Sequence, residues 1–272
     1  MPSAASNDTF TTSDQTTIAF TRHSAPHAGA PRLVLIHSLA LDRHMWDAIV
    51  ARLEPHAEVL TYDCRGHGQS DRKPGHYTAE LFADDLAQLL DHVGWSTSAV
   101  GGCSMGGCVA LAFAGLHPTR VIALGLTDTT AWYGEDAPQA FRKRSEAARE
   151  KGMRGLVDFQ VTRWFSDAYR AGNPPAMQSA VETFVANDFE CYAASCALLG
   201  EADARQYLPS LRIPVAIIVG EEDYATPVTM AQYLHEQLPQ STLTVLSKAR
   251  HLTPIEHPDA IANELLALVR RR

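Results

Sequence analysis

The chain has 272 residues, 46% apolar and 20% charged, an ordinary globular composition that excludes a disordered or collagen-like chain. Its 23 basic and 31 acidic residues leave a formal charge of −8, which speaks against phosphate-backbone binding, and no cluster of Lys and Arg argues otherwise. No apolar run approaches the ~18 residues of a membrane helix. Met1 to Thr17 has neither the basic start nor the apolar centre of a secretory signal, so the expectation is a cytoplasmic protein that meets neither membrane nor nucleic acid. The five cysteines, odd in number and without an export signal, read as buried thiols rather than a disulfide framework. The oligomeric state is left open.

In chain order, apolar strands alternate with helices. Leu33-Val34-Leu35-Ile36 is a strand that stops at His37-Ser38, and Trp46, Ile49, Val50 and Leu53 then follow helical spacing. Val59 to Tyr62 is a second strand, closed by the turn-rich Arg65-Gly66-His67-Gly68. Thr78 is set to cap a helix whose apolar face is Phe82, Leu86, Leu89, Leu90 and Val93. Ser98 to Gly101 is a strand that runs into glycines. A helix through Val109, Leu111 and Phe113 follows and ends before Pro118, and Val121 to Leu126 is another strand.

The stretch from about Ala131 to Tyr207 is aromatic and irregularly helical, with Gly172-Asn173-Pro174-Pro175 as a turn. Its length is not that of a loop, and it reads as a small helical lid inserted between two strands. Beyond it, Val215 to Val219 is the most apolar strand. A helix from about Val228 to Gln237, a strand Leu243 to Leu246 and a helix from Pro258 onward complete the pattern, with Arg270-Arg271-Arg272 as a solvated helix end. Continuous rather than alternating apolar strands suit a parallel sheet buried on both faces. The expected architecture is a three-layer α/β sandwich, with core segments 1–130 and 208–272 around a lid at 131–207.

The chemistry starts at Gly102-Cys103-Ser104-Met105-Gly106, a G-x-S-x-G pattern between a predicted strand and a predicted helix. A strand that turns sharply into a helix lifts one hydroxyl clear of the backbone. The turn strains the serine and presses its neighbours together, so only small residues fit two before and two after it. The helix N-terminus then faces Ser104 and favours a developing anion.

A serine hydroxyl needs a base, and the base needs an orienting carboxylate. His251, just past the strand Leu243 to Leu246, fits the base, whereas His257-Pro258 looks like a helix entry. Asp223, directly after the strand Val215 to Val219, fits the acid. Glu221 and Glu222 compete as exposed loop residues, and Asp128, at the end of the strand Val121 to Leu126, is the more serious rival. The oxyanion hole is expected from the backbone N–H groups of Met105 and Leu39. For the side chains of His37 and Ser38 the preferred reading is turn chemistry alone.

With these residues the chain resembles the α/β-hydrolase superfamily. The resemblance rests on His37-Ser38-Leu39, Asp63 to Ser70, the bend at Ser104, Gly220 to Pro227, and His251. More narrowly it is similar to the 3-oxoadipate enol-lactonases of bacterial aromatic catabolism, in the β-ketoadipate pathway. The matching stretches are Ser38-Leu39 with His44-Met45-Trp46, Cys103 to Gly107, Arg163-Trp164-Phe165, Asp188 to Cys196, and Asp223 to Pro227. Where that family shows Asn-Ser-Leu-Gly, this chain has His37-Ser38-Leu39-Ala40.

The resemblance implies hydrolysis of a small-molecule ester or lactone through an acyl-enzyme, with Ser104, His251 and Asp223 catalytic and no metal or organic cofactor. Trp132 and Trp164 are candidate substrate contacts. Arg163 on the lid is expected at the surface. A carbon–carbon bond hydrolase of the meta-cleavage type, a perhydrolase or a general carboxylesterase would share the same three residues. A ligand receptor with slow hydrolysis is the non-enzymatic alternative.

Overall fold

Apolar runs without alternation become the middle of one sheet. The computed structural model describes residues 5–270. Its strands are β1 (Ala5–Thr11), β2 (Thr17–His23), β3 (Arg32–Ile36), β4 (Glu58–Tyr62), β5 (Ser98–Cys103), β6 (Val121–Thr127), β7 (Val215–Gly220) and β8 (Ser241–Leu246). They lie in the order β1-β2-β4-β3-β5-β6-β7-β8. Every pair from β4 to β8 is parallel. Every residue of β5 and β7 is buried, as expected for strands covered on both faces. The expected strand at Leu243 to Leu246 is β8, an edge strand whose residues are only partly covered, with Val245 exposed.

Helices α1 (Asp47–Leu53), α2 (Ala79–His92) and α3 (Met105–Leu116) alternate with the first parallel strands. Between β6 and β7 come α4 (Ala137–Lys151), α5 (Val157–Trp164), α6 (Asp167–Ala171), α7 (Pro175–Val185) and α8 (Phe189–Glu201). The chain closes with α9 (Val228–Gln237), α10 (Thr253–Glu256) and α11 (Pro258–Arg270). Thr78 caps α2 by accepting from the Leu81 N–H. Packing pairs α2 with α3 and α1 with α11. The five cysteines are buried free thiols. Arg270 ends α11 in solvent, while Arg271 and Arg272 lie outside the described residues. No helix among the described residues is long and apolar enough to cross a membrane.

The antiparallel hairpin β1–β2 is not foreseen from the sequence, in which the first strand expected is Leu33 to Ile36. Phe10, Ile18 and Phe20 are its large buried apolar side chains. Its tight turn closes through Thr12, whose amide donates to the Thr16 carbonyl at 2.9 Å and whose hydroxyl oxygen accepts from the Thr16 amide at 3.0 Å. Arg65 fastens the hairpin to the core. Its buried guanidinium grips Asp85 of α2 with two hydrogen bonds (2.5 and 2.6 Å) and reaches Asp14 in the turn at 2.8 Å. Burial raises the Asp85 carboxyl above its usual range, and the Arg65 hydrogen bonds offset only part of that rise. Removing one partner of a buried pair strands the other charge. Arg65→Met is therefore expected to cost about 3–5 kcal/mol at neutral pH, read as a lowered urea midpoint.

Candidate active site

Crowding of backbone shapes the bend after β5. Ser104 has φ 54° and ψ −113°, a left-handed conformation costly for a residue with a side chain. A Cβ at Gly102 would run into the Gly106 carbonyl, and one at Gly106 into the Ile36 carbonyl. A Cβ at Gly107 would strike Thr129, whose hydroxyl donates to the Ser104 carbonyl at 2.7 Å. The Ser104 amide donates to the Thr127 carbonyl at 3.0 Å. Neighbours on both sides therefore fix the turn.

His251 and Asp223 arrive from the loops after β8 and β7. The Ser104 hydroxyl lies 2.9 Å from His251 Nε2, and His251 Nδ1 lies 2.8 Å from Asp223 Oδ2. All three residues are at most 5% exposed. The other Asp223 oxygen accepts from the amides of Ala225 (2.7 Å) and Thr226 (3.0 Å), and the Thr226 hydroxyl donates to Oδ2 at 2.8 Å. Burial pushes the Asp223 carboxyl up, but His251 and these donors outweigh it and hold it below the usual range. With Asp223 ionised, His251 presents Nδ1–H to it and an open lone pair at Nε2 to the serine.

Asp128 is turned elsewhere. Its Oδ2 accepts from the Thr253 amide (2.9 Å) and hydroxyl (2.7 Å), and its Oδ1 from the Gly220 amide (3.2 Å). It ties together the loops that carry Asp223 and His251 without touching the imidazole. Burial, followed by the charge of Asp223, raises its carboxyl well above the usual range. Glu221 accepts from Ser247 and the Lys248 amide, and Glu222 pairs with Arg250. Both brace the His251 loop from outside. His257 lies beside Glu256 at the entry to α11.

The loop after β3 carries Leu39, which lines the cavity at Ser104 and His251. Neither the Leu39 amide nor the Met105 amide donates a hydrogen bond among the described residues. The His37 side chain, assigned above to turn chemistry alone, bridges two loops. Its Nδ1–H donates to the Ser38 carbonyl at 2.8 Å, and its Nε2 accepts from the Cys64 amide at 2.9 Å. Burial lowers its pKa and that of neighbouring His67, the latter to about 3, so both rings stay neutral. Ala40 stands at φ 59°, the conformation that favours the glycine usual in the resembling family. Its carbonyl accepts from Asn187 Nδ2 at 2.8 Å, tying the loop to the corner between α7 and α8.

The cavity at Ser104 is small, about 10 Å³, close to the room one water needs. Trp164 lines it, with its ring edge-on to Phe165 and Phe184. Trp132 does not. Its ring lies 3.8 Å from the Arg205 guanidinium, and the next residue, Tyr133, lines the cavity instead. Burial pushes the Tyr133 phenol up, so it remains a donor beside Ser104. Arg163, expected at the surface, stands in the cavity wall with Arg144. Arg144 Nε donates to the Tyr192 hydroxyl at 2.9 Å, and Arg163 lies 6.0 Å from the Phe159 ring. Neither guanidinium is paired with a carboxylate among the described residues, and burial followed by repulsion from Arg144 lowers Arg163. Helical spacing on the insertion does not tell wall from surface, so the sequence carries no signal for these two. Among the described residues, no group of three or more His, Cys, Asp or Glu side chains is arranged to hold a metal ion.

A family model described as alpha/beta hydrolase fold matches residues 31–258. The 3-oxoadipate enol-lactonase 2 of Acinetobacter baylyi is 32% identical over all of this chain and 99% of its own. A pimeloyl-acyl-carrier-protein methyl ester esterase of Neisseria meningitidis is also 32% identical, over 89% of this chain and 94% of its own. Among solved structures, the enol-lactonase from Burkholderia xenovorans LB400 matches with a TM-score of 0.91 at 31% identity, over 96% of this chain and 99% of that one.

A depressed carboxyl such as Asp223 stabilises the fold above its unfolded pKa of about 4 and loses that contribution as pH falls through its lower folded value. The stability deficit of Asp223→Asn is expected to be largest at neutral pH and to shrink in acid. Urea midpoints across that range measure it.

Proposed function

The chain belongs to the α/β-hydrolase family, and from that premise we propose that it cleaves a carboxylic ester or lactone through an acyl-enzyme, with an enol-lactone bearing a carboxylate as the best-supported substrate. The observation that carries this reading is the single hydrogen-bonded path from Ser104 through His251 to Asp223. In this reading His251 Nε2 takes the hydroxyl proton as Ser104 Oγ attacks the carbonyl carbon. Asp223 keeps the ring oriented and offsets its positive charge. The amides of Leu39 and Met105 hold the oxyanion, where the loss of one donor typically costs ~10²–10³ in rate.

The tetrahedral intermediate collapses, the ring C–O bond breaks, and the enol leaves while still tethered to the acyl group. An enol is a better leaving group than a simple alcohol, so proton donation by His251 matters less at this step. His251 gives its proton to the departing enol oxygen, then takes one from the water that attacks the acyl carbon and passes it to Ser104 Oγ as the acyl C–O bond breaks and the acid leaves. The helices within 131–207 act as a lid over core segments 1–130 and 208–272.

Two things support the finer substrate. The enol-lactonase relatives match over the full chain, and Arg144 and Arg163 bring unpaired positive charge to the wall beside Ser104. In a protein of net charge −8, that local field attracts an anionic substrate where the overall field does not. Cleavage of a methyl ester is a second reading, favoured by the pimeloyl-acyl-carrier-protein methyl ester esterase relatives.

Ser104→Ala is expected to lower turnover by at least about 10⁴-fold with the fold intact, and a serine-directed phosphonate should label Ser104 alone by mass spectrometry. Asp223→Asn should lose about 10³–10⁴ in kcat, while Asp128→Asn keeps most of it; the reverse result reassigns the acid. Arg163→Gln should raise KM for a carboxylate-bearing lactone by about 10–100-fold, the worth of a charged hydrogen bond, and leave p-nitrophenyl acetate nearly unchanged.

A further inference from the structure

A second, much larger chamber opens beyond the wall of the Ser104 cavity. Its volume is about 580 Å³, within the range of pockets that enclose whole small-molecule ligands. The two spaces share Tyr133, Phe141, Arg144, Arg163 and Ala225, so those side chains form a shared wall, the neck, between them.

One face of α4 builds the chamber. Ala140, Arg144, Ala147 and Lys151 recur at steps of three or four, as residues on one helical face do. The opposite face packs on α8 closely enough that a Cβ at Gly200 would press on Pro138. Leu156, Phe159 and Met230 complete a mainly apolar lining. Phe159 is 52% exposed, and its position at this chamber gives a large apolar ring in solvent something to cover. Lys143 and Lys151 line the chamber against the single acid Asp136. Cations therefore stand in two ranks, the arginines at the neck and the lysines outside it. A compact lactone with one carboxylate engages only the neck and leaves the apolar chamber to water.

We propose that the outer chamber is a subsite for a chain-extended substrate: an ester or lactone whose acyl part runs through the neck as an apolar arm and ends in an anionic group near Lys143 and Lys151. The inference rests on the Ser104 chemistry above for where the reacting carbonyl sits, but its own test is binding. The probes are monoethyl suberate and ethyl octanoate as long esters and monoethyl succinate as a short one. Binding to Ser104→Ala protein is measured by calorimetry, and turnover of the unmodified protein by proton release.

Monoethyl suberate should bind more tightly than ethyl octanoate. Because exposed ion pairs are individually weak, Lys143→Ala with Lys151→Ala should remove a preference of about fivefold per charge at most. Ala147→Trp, which fills the chamber, should weaken both long esters at least tenfold, about the worth of one lost apolar group, and leave monoethyl succinate unchanged. Ala140→Trp is the second filling variant, and unchanged binding of the short ester shows that each variant is folded. Long esters that bind no better than the short one, or filling variants that weaken all three alike, overturn the subsite. Binding in this pattern without any turnover upholds the subsite and overturns the Ser104 chemistry. Turnover of the short ester with no binding of the long ones does the opposite.

Discussion

The site depends on how closely three pieces of backbone approach one another beneath Ser104. The Ile36 carbonyl, the start of α3 and the end of β5 meet where even a methyl group would collide. That contact holds Ser104 in a left-handed conformation that an isolated chain would leave. It also fixes the distance between the β3 loop and the first turn of α3, and these contribute the Leu39 and Met105 amides. Strand order does the rest. β5 lies between β3 and β6, with β7 and β8 beyond, so the loops bearing Leu39, Ser104, Asp223 and His251 all leave the same end of the sheet, where parallel α/β folds bind ligands.

Two buried carboxyls share the space behind His251, and their surroundings drive them apart. Asp223 has two backbone amides, a hydroxyl and an imidazole to hold its charge. Asp128 has three neutral donors, no cation and the Asp223 charge nearby. The first is built to stay ionised against the imidazole. The second is built as a knot between Gly220, which opens the Asp223 loop, and Thr253, where α10 begins just past His251. Each is excluded from the other's role by its partners rather than by its chemistry.

Much of this was legible in the chain itself. Continuous apolar runs mark the strands buried on both faces, and the spacing of Gly102, Ser104 and Gly106 marks the bend, where the crowding at Gly102 is local although that at Gly106 comes from Ile36. What stayed hidden depended on distant partners. Phe10, Ile18 and Phe20 sit among Thr, Ser and Asp, and the hairpin they anchor is completed by Arg65 and Asp85 from elsewhere in the sequence. The edge position of β8 follows from having no strand beyond it among the described residues, which its composition does not record. Trp132 and Tyr133 are adjacent, and only the antiparallel bridge from Trp132 to Asp203, with Arg205 stacked on the indole, decides which ring turns inward. Arg163 reads as a surface residue until α4 brings Arg144 to the same wall.

The hydrogen bond from Asn187 to the Ala40 carbonyl joins the roof of the site to the strained loop that presents the Leu39 amide. The Trp164 carbonyl, accepting from the Leu252 amide at 3.0 Å, makes a matching link on the side of His251. A roof pinned at both places cannot sway freely of the floor. Arg250, one residue before His251, adds two more ties of this kind by donating to the Thr162 and Phe165 carbonyls. The insertion is thereby fastened on one side to the Leu39 loop and on the other to the His251 loop.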